Sequence, residues 1–214
     1  MSVPVFFAVK RKESINFPNA RYIQPGFGFT PQGAVRLPAS ILPDVPILLD
    51  DAFLPPAPPA KELLAQLAHH GGKGIVLDFE RPPCPLHTAL ANELRTLLPA
   101  VVPIWAPEPY LQETKGIRAK RICQSPCNDW QSFCRTGAHY EGWLLELTPW
   151  RLSRADNSSD FPARFLPNPL CFAEHSNGRL RYFDTRKTLL QKLDAAKKYG
   201  CIGAVGILKE LPED

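Results

Sequence analysis

The segment Gly71-Gly72-Lys73-Gly74-Ile75-Val76-Leu77-Asp78-Phe79-Glu80-Arg81-Pro82 decides how the chain is read. Its glycines stop a preceding helix, its apolar centre makes a buried strand, and its two carboxylates fall where that strand runs out. Strand side chains alternate between faces, so Ile75, Leu77 and Phe79 share one side while Val76, Asp78 and Glu80 share the other. The two acids then sit about 7 Å apart along the backbone. The bulky set belongs under helices and the acidic set faces inward. In a parallel barrel, the C-terminal ends of strands are where active sites are built. The competing reading is an Asp and a Glu that merely cap a helix and face a solvated loop.

Upstream, residues 61–70 place Leu63, Leu64, Leu67 and Ala68 at helical spacing, with Gly71 as a left-handed stop. His69 and His70 fall at the helix C-terminus, where they favour its negative end rather than a metal. Downstream, residues 86–98 repeat the helical pattern through Leu90, Leu94, Leu97 and Leu98. Strand-length apolar runs occur at residues 3–9, 46–51, 101–106, 117–124, 143–147 and 202–208, the second ending in Asp50 and Asp51. Residues 10–45 are broken repeatedly by proline and glycine and predict irregular structure, with one strand near 22–29 or 34–37. Residues 129–134 predict a short helix and residues 154–162 an exposed loop. Asn177-Gly178 between apolar runs is a hairpin signal. The helix after it carries Leu189, Leu190, Leu193 and Ala196 on one face, with Asp184 or Thr185 as its cap and Gly200 at its end.

Strands alternating with helices predict a parallel sheet, here seven barrel strands plus a hairpin. No phosphate-cradling glycine loop follows any strand, which disfavours an open nucleotide-binding sheet. The expected fold is α/β, a compact or irregular (β/α)8-like TIM barrel, with residues 1–214 as a single domain.

Composition excludes several function classes. Of 214 residues, 44% are hydrophobic and 21% charged, ordinary values for a globular protein rather than a disordered or fibrous one. The 24 prolines lie mainly between the periodic segments and imply stiff, shaped loops. A net charge of +4, without basic residues interleaved with aromatics, gives no nucleic-acid surface. The densest basic stretch, residues 115–121, has the spacing of a solvated face or edge strand. At the N-terminus the positive charges follow a short apolar run, the reverse of a signal peptide, and no run reaches the length of a membrane span. A cytoplasmic protein without membrane contact is expected. The six cysteines, Cys84, Cys123, Cys127, Cys134, Cys171 and Cys201, form no CxxC pair and no zinc-ligand spacing. They read as reduced thiols, and neither a metal nor a cofactor is expected.

The segment Gly74-Ile75-Val76-Leu77-Asp78-Phe79-Glu80 resembles the fourth-strand signature DxxDxDxE of family 18 glycoside hydrolases, the chitinase-like barrels. The C-terminal segment from Tyr182-Phe183-Asp184-Thr185 through Tyr199-Gly200 to Gly203-Ala204-Val205-Gly206-Ile207 resembles that family's last helix and strand. The resemblance implies a barrel acting on N-acetylated glycans. Glu80 would then be the acid and Asp78 the carboxylate that orients the substrate's acetamido group as internal nucleophile. The chain departs from the pattern at Lys73 and Val76, which replace the first two acids, and at Leu208, where the family has Trp. If residues 142–148 match the family's MxYD strand, Glu146 and Thr148 replace its Met and Tyr.

Glycoside cleavage needs a protonated carboxyl at the leaving oxygen and usually a second carboxylate, unless the sugar's own amide takes that part. Glu146 is a candidate second carboxylate; the alternative is a structural pair with Arg118 or Arg121. Asp51, at the end of its own strand, belongs to the same mouth. Trp105, Tyr110 and Trp150 lie at or beyond strand ends and are candidates to stack on sugar rings, against burial under the helices. Two other readings stay open: a non-catalytic barrel binding a carbohydrate or protein partner, and a muramidase like the family 25 lysozymes, which also use Asp-x-Glu on a short barrel.

Overall fold

The computed structural model describes residues 3–57, 59–122, 130–147, 151–155, 172–176, 179–183 and 186–207. The chain runs through β1 (Val5–Ala8), β2 (Ala20–Phe29), β3 (Val35–Arg36), β4 (Ile47–Asp50), α1 (Lys61–His70), β5 (Ile75–Asp78), α2 (Pro85–Leu97) and β6 (Ile104–Pro107). It continues through a 3-10 turn (Glu108–Tyr110), β7 (Arg118–Ile122), α3 (Trp130–Gly137), β8 (Trp143–Leu147), β9 (Arg151–Ala155), β10 (Phe172–Ser176), β11 (Arg179–Phe183), α4 (Arg186–Lys197) and β12 (Cys201–Ile207). Strands β1, β2, β4, β5, β6, β7, β8 and β12 are parallel, and β1 pairs with both β2 and β12, so the sheet closes into an eight-stranded barrel. Strand β5 is the fourth around it. Strands β9, β10 and β11 form a separate antiparallel sheet inserted between β8 and α4.

Alternation along the strands sorts the core into an inside and an outside. Phe27, Leu49, Ile75, Leu77 and Phe79 pack outward against Leu64 and Leu67 of α1 and Leu90 and Leu94 of α2. On the far side Val5, Phe7, Trp143 and Leu145 meet Trp130 and Cys134 of α3 and Leu189, Leu193 and Ala196 of α4. The inward set is smaller: Ile23, Val76, Trp105, Leu144 and Val205, with Phe6, Ala8 and Leu48 against them. Each fully buried leucine or phenylalanine contributes about 1.5–3 kcal/mol, so the two outer layers carry most of the stabilisation. Among the described residues only four helices cover the barrel, and none is long and apolar enough to cross a membrane.

The structure departs from the sequence reading in several places. Residues 20–29 form a full barrel strand despite Pro25 and Gly26, because the pairing with β4 shifts register between Gln24 and Phe27 and Gly26 takes φ +99°. The barrel strands therefore number eight rather than seven. Gly71 is not left-handed (φ −80°); it is required because a Cβ there would lie 2.5 Å from the Ile75 side chain. The basic stretch 115–121 is no solvated edge: β7 lies between β6 and β8, and Lys120 and Arg121 are each 5% exposed. Arg154 and Ala155 belong to β9 rather than to a loop.

Candidate functional site

Asp78 ends β5 on the inward side, two residues after Val76. Glu146 stands likewise two residues after Leu144 on β8. Between them β7 sends in Lys120, whose Nζ lies 2.6 Å from Asp78 Oδ1 and 2.8 Å from Glu146 Oε2. Burial alone would lower the Lys120 pKa, but attraction and hydrogen bonds from the two carboxylates outweigh it, and the net direction is up. The ammonium is covered while both carboxylates remain about 30% exposed. Strand alternation thus brings two sequence-predicted acids together, and their shared partner is a lysine rather than Arg118 or Arg121. Arg121 instead bonds Glu108 and the helix α3 residues Phe133 and Thr136.

Glu80 lies beyond the hydrogen-bonded part of β5 and is exposed. Phe79 is buried in the outer layer, and the chain leaves the strand here, the consecutive N–H groups of Glu80 and Arg81 turning toward one carboxylate, so strand alternation ends at Asp78. Among the described residues no hydrogen bond or ion pair engages the Glu80 carboxylate. Its backbone, by contrast, is held firmly. The N–H groups of Glu80 and Arg81 donate to Asp51 Oδ1 and Oδ2 at 3.1 and 3.0 Å. Tyr110 donates its hydroxyl to the Arg81 carbonyl. Asp51 is 3% exposed, and its Oδ2 also lies 3.0 Å from Nε2 of His87, a ring only 2% exposed.

Asp51 therefore stands behind the rim, between the ends of β4 and β5 and the start of α2. The acid of β4 on the inward side is Asp50, two residues after Leu48 and in register with Asp78. Asp50 pairs with Arg36 of β3, above Gly28, where a Cβ would come within 2.8 Å of the guanidinium. Trp105 fills the barrel interior, 4% exposed, and donates Nε1–H to the Gly142 carbonyl at 3.0 Å. Tyr110 is 7% exposed and packs edge-on against Phe79 and His87 in the outer layer. Trp150 and Thr148 lie outside the described residues. Lys120 and Asp50 escaped the sequence reading. For Asp50 the signal was present, since an inward Leu48 dictates it; for Lys120, the alternation of Arg118, Lys120 and Ile122 with Ala119 and Arg121 names no face.

Among the described residues no cluster of His, Cys, Asp and Glu is arranged to hold a metal ion. A cavity of about 570 Å³ opens at the other end of the barrel, lined by Phe6, Lys12, Arg21, Tyr22, Asp44 and Lys73 among others. Those residues precede or begin their strands, so this cavity is remote from Asp78 and Glu80.

No family model matches the sequence, and no curated protein matches it. Solved structures do. The spore cortex-lytic enzyme SleL of Bacillus cereus superposes with a TM-score of 0.55 at 11% identity, over 99% of this chain and 72% of that one. A mutant class V chitinase from Nicotiana tobaccum in complex with NAG4 gives a TM-score of 0.55 at 12% identity, over 96% of this chain and 93% of that one. These neighbours are family 18 glycoside hydrolases and chitinase-like proteins. The resemblance read from β5 and β12 is thus matched by a likeness of the whole fold.

Proposed function

We propose that this barrel acts on N-acetylated glycans at the mouth formed by the C-terminal ends of its strands, with Glu80 as general acid and Asp78 as the carboxylate that orients the acetamido group. The observation that carries the reading is Glu80 itself: an exposed residue just beyond the end of the fourth barrel strand, whose backbone N–H is fixed by buried Asp51 at 3.1 Å. A general acid must meet the glycosidic oxygen within hydrogen-bond reach, and a fixed backbone with a free side chain meets that need. Asp78, partly open to the mouth, accepts the acetamido N–H and turns the amide oxygen toward the anomeric carbon, the substrate-assisted route. Lys120 holds Asp78 in place, and Glu146 adds a further carboxylate to the same wall. A glycan ligand is supported by the fold neighbour solved with NAG4.

The test is cleavage of an N-acetylglucosamine tetramer, followed by chromatography of the shorter products. Glu80→Gln is expected to lower turnover by about a hundredfold or more while leaving binding of the tetramer in place. Cleavage at the same rate by Glu80→Gln overturns the assignment.

A second reading is favoured by Lys120, which already engages both Asp78 and Glu146. A barrel whose inner carboxylates are neutralised in this way binds a carbohydrate or protein partner without cleaving it. Tetramer binding without products, unchanged in Glu80→Gln, distinguishes this case.

A further inference from the structure

The cavity at the N-terminal end of the barrel takes no part in the proposed glycan site, and its chemistry is different. Its volume of about 570 Å³ lies within the range that holds a small organic ligand. The loop between β1 and β2, the first residues of β2 and the turn leading into β4 supply most of its lining. That loop is fastened where Tyr22 donates its hydroxyl to the Glu13 carbonyl at 2.7 Å. The walls are apolar. Phe6 and Tyr22 contribute rings, Ile15 and Val45 contribute branched side chains, and all four are half-buried rather than packed away.

The charged groups of the lining are unbalanced. Lys12, Arg21 and Lys73 face a single acid, Asp44. Among the described residues no hydrogen bond or ion pair engages the Lys12 ammonium, and Arg21 donates only to the carbonyl of its neighbour Ala20, at 3.2 Å. Lys73 meets Asp44 at 3.5 Å with both side chains mostly in solvent, a pair too weak to hold its cation against a competing anion. Arg21 is in register with Phe6 and two residues before the inward Ile23. Strand alternation therefore puts the guanidinium on the same side of the sheet as the Phe6 ring. At the opposite end of the barrel the balance is reversed, since Asp50, Asp78 and Glu146 outnumber Arg36 and Lys120.

We propose that this cavity binds an aromatic organic anion, with its ring against the apolar wall and its carboxylate, sulfonate or phosphate group met by Arg21 and Lys12. Arg21 offers a planar fork to two anionic oxygens, and Lys12 adds a mobile point charge. The flat surfaces of Phe6, Tyr22, Pro43 and Pro46 match a flat ligand, because rings gain most from stacked or edge-on contact. An acidic peptide would satisfy the cations and leave that wall bare. This end of the barrel binds and does not catalyse, since parallel barrels build their chemistry at the C-terminal ends of the strands.

The native chain is titrated at low ionic strength with 8-anilinonaphthalene-1-sulfonate and, separately, with its uncharged counterpart N-phenyl-1-naphthylamine, both read by fluorescence. The sulfonate is expected to saturate a single site and to bind about tenfold or more tightly than the neutral compound. Arg21→Gln, a change at an exposed position, should remove that preference and leave the neutral compound unaffected. Amide signals of Arg21, Tyr22 and Asp44 should move as the sulfonate binds. Equal affinity for the two compounds overturns the proposal, as do signal changes confined to the other end of the barrel. Displacement of the sulfonate by an equal concentration of a hexaglutamate peptide would assign the cations to an acidic chain and overturn the ligand class. The comparison of the two compounds on the native chain decides the matter even if the variant fails to fold.

Discussion

Asp78 and Asp51 occupy neighbouring strand ends, yet their surroundings have nothing in common. Asp78 faces into the barrel, is about one-third exposed, and meets the ammonium of Lys120. Asp51 faces the helix layer, is almost fully buried, and meets two backbone N–H groups and an imidazole. One residue of strand parity separates a carboxylate partly open to solvent from one that fastens a loop. The charge of Asp78 is balanced by another charge. That of Asp51 is balanced by hydrogen-bond dipoles, which leaves Glu80 and His87 positioned by the same two oxygens.

The largest effect expected from breaking this contrast is at Lys120. Lys120→Met leaves Asp78 and Glu146 facing each other without a cation, and stability should fall by about 3 kcal/mol, measured by urea unfolding at neutral pH. An unchanged midpoint would show that the carboxylates do not depend on the ammonium. Next is Asp51→Asn. An amide offers one accepting oxygen to donors that now approach two, and its NH₂ opposes one of them, so a loss of about 2 kcal/mol is expected. The smallest effect is on the pH profile. The folded Lys120 pKa lies above its ordinary 10.5, so its stabilisation is fully present below the unfolded value and is lost as pH rises through the folded one. The stability difference between wild type and Lys120→Met should hold constant through neutral pH and narrow above about 10.5. A difference that stays constant through that alkaline rise would show that the ammonium is not the group responsible.

Strand β5 was legible because its alternation is complete, and the fate of Ile75, Leu77 and Phe79 in the outer layer follows from it. The helices over residues 61–70 and 85–97 were legible for the same reason: their leucines recur at the helical period. The hairpin around Asn177-Gly178 appears as the antiparallel pair of β10 and β11. Strand β2 was obscured by Pro25 and Gly26, whose bulge is compatible with pairing only because β1 and β4 hold the strand from both sides. At the site, Asp78 and Glu146 could be found as strand-end acids, whereas Lys120 could not. A lysine is buried only when its partners are, and those partners come from strands 42 and 26 residues away in the chain. The contact of Asp51 with His87 was hidden likewise: the two lie 36 residues apart, and Asp51 reaches the start of α2 only through the pairing of β4 with β5.

The pairing of β1 with β12 has a consequence for how the chain reaches this structure. Val5 is in register with Ala204, so the ring of strands can close only when segments nearly the full described length apart have met. Contacts of that separation make folding slow, because the entropy of bringing them together is lost before their stabilisation is gained. During synthesis β1 and β8 wait with one open edge each until β12 has cleared the ribosome, and open edges recruit stray strands. The helix-covered quarter around β4, β5 and α2, whose contacts are short-range, is the part that can form first and wait safely.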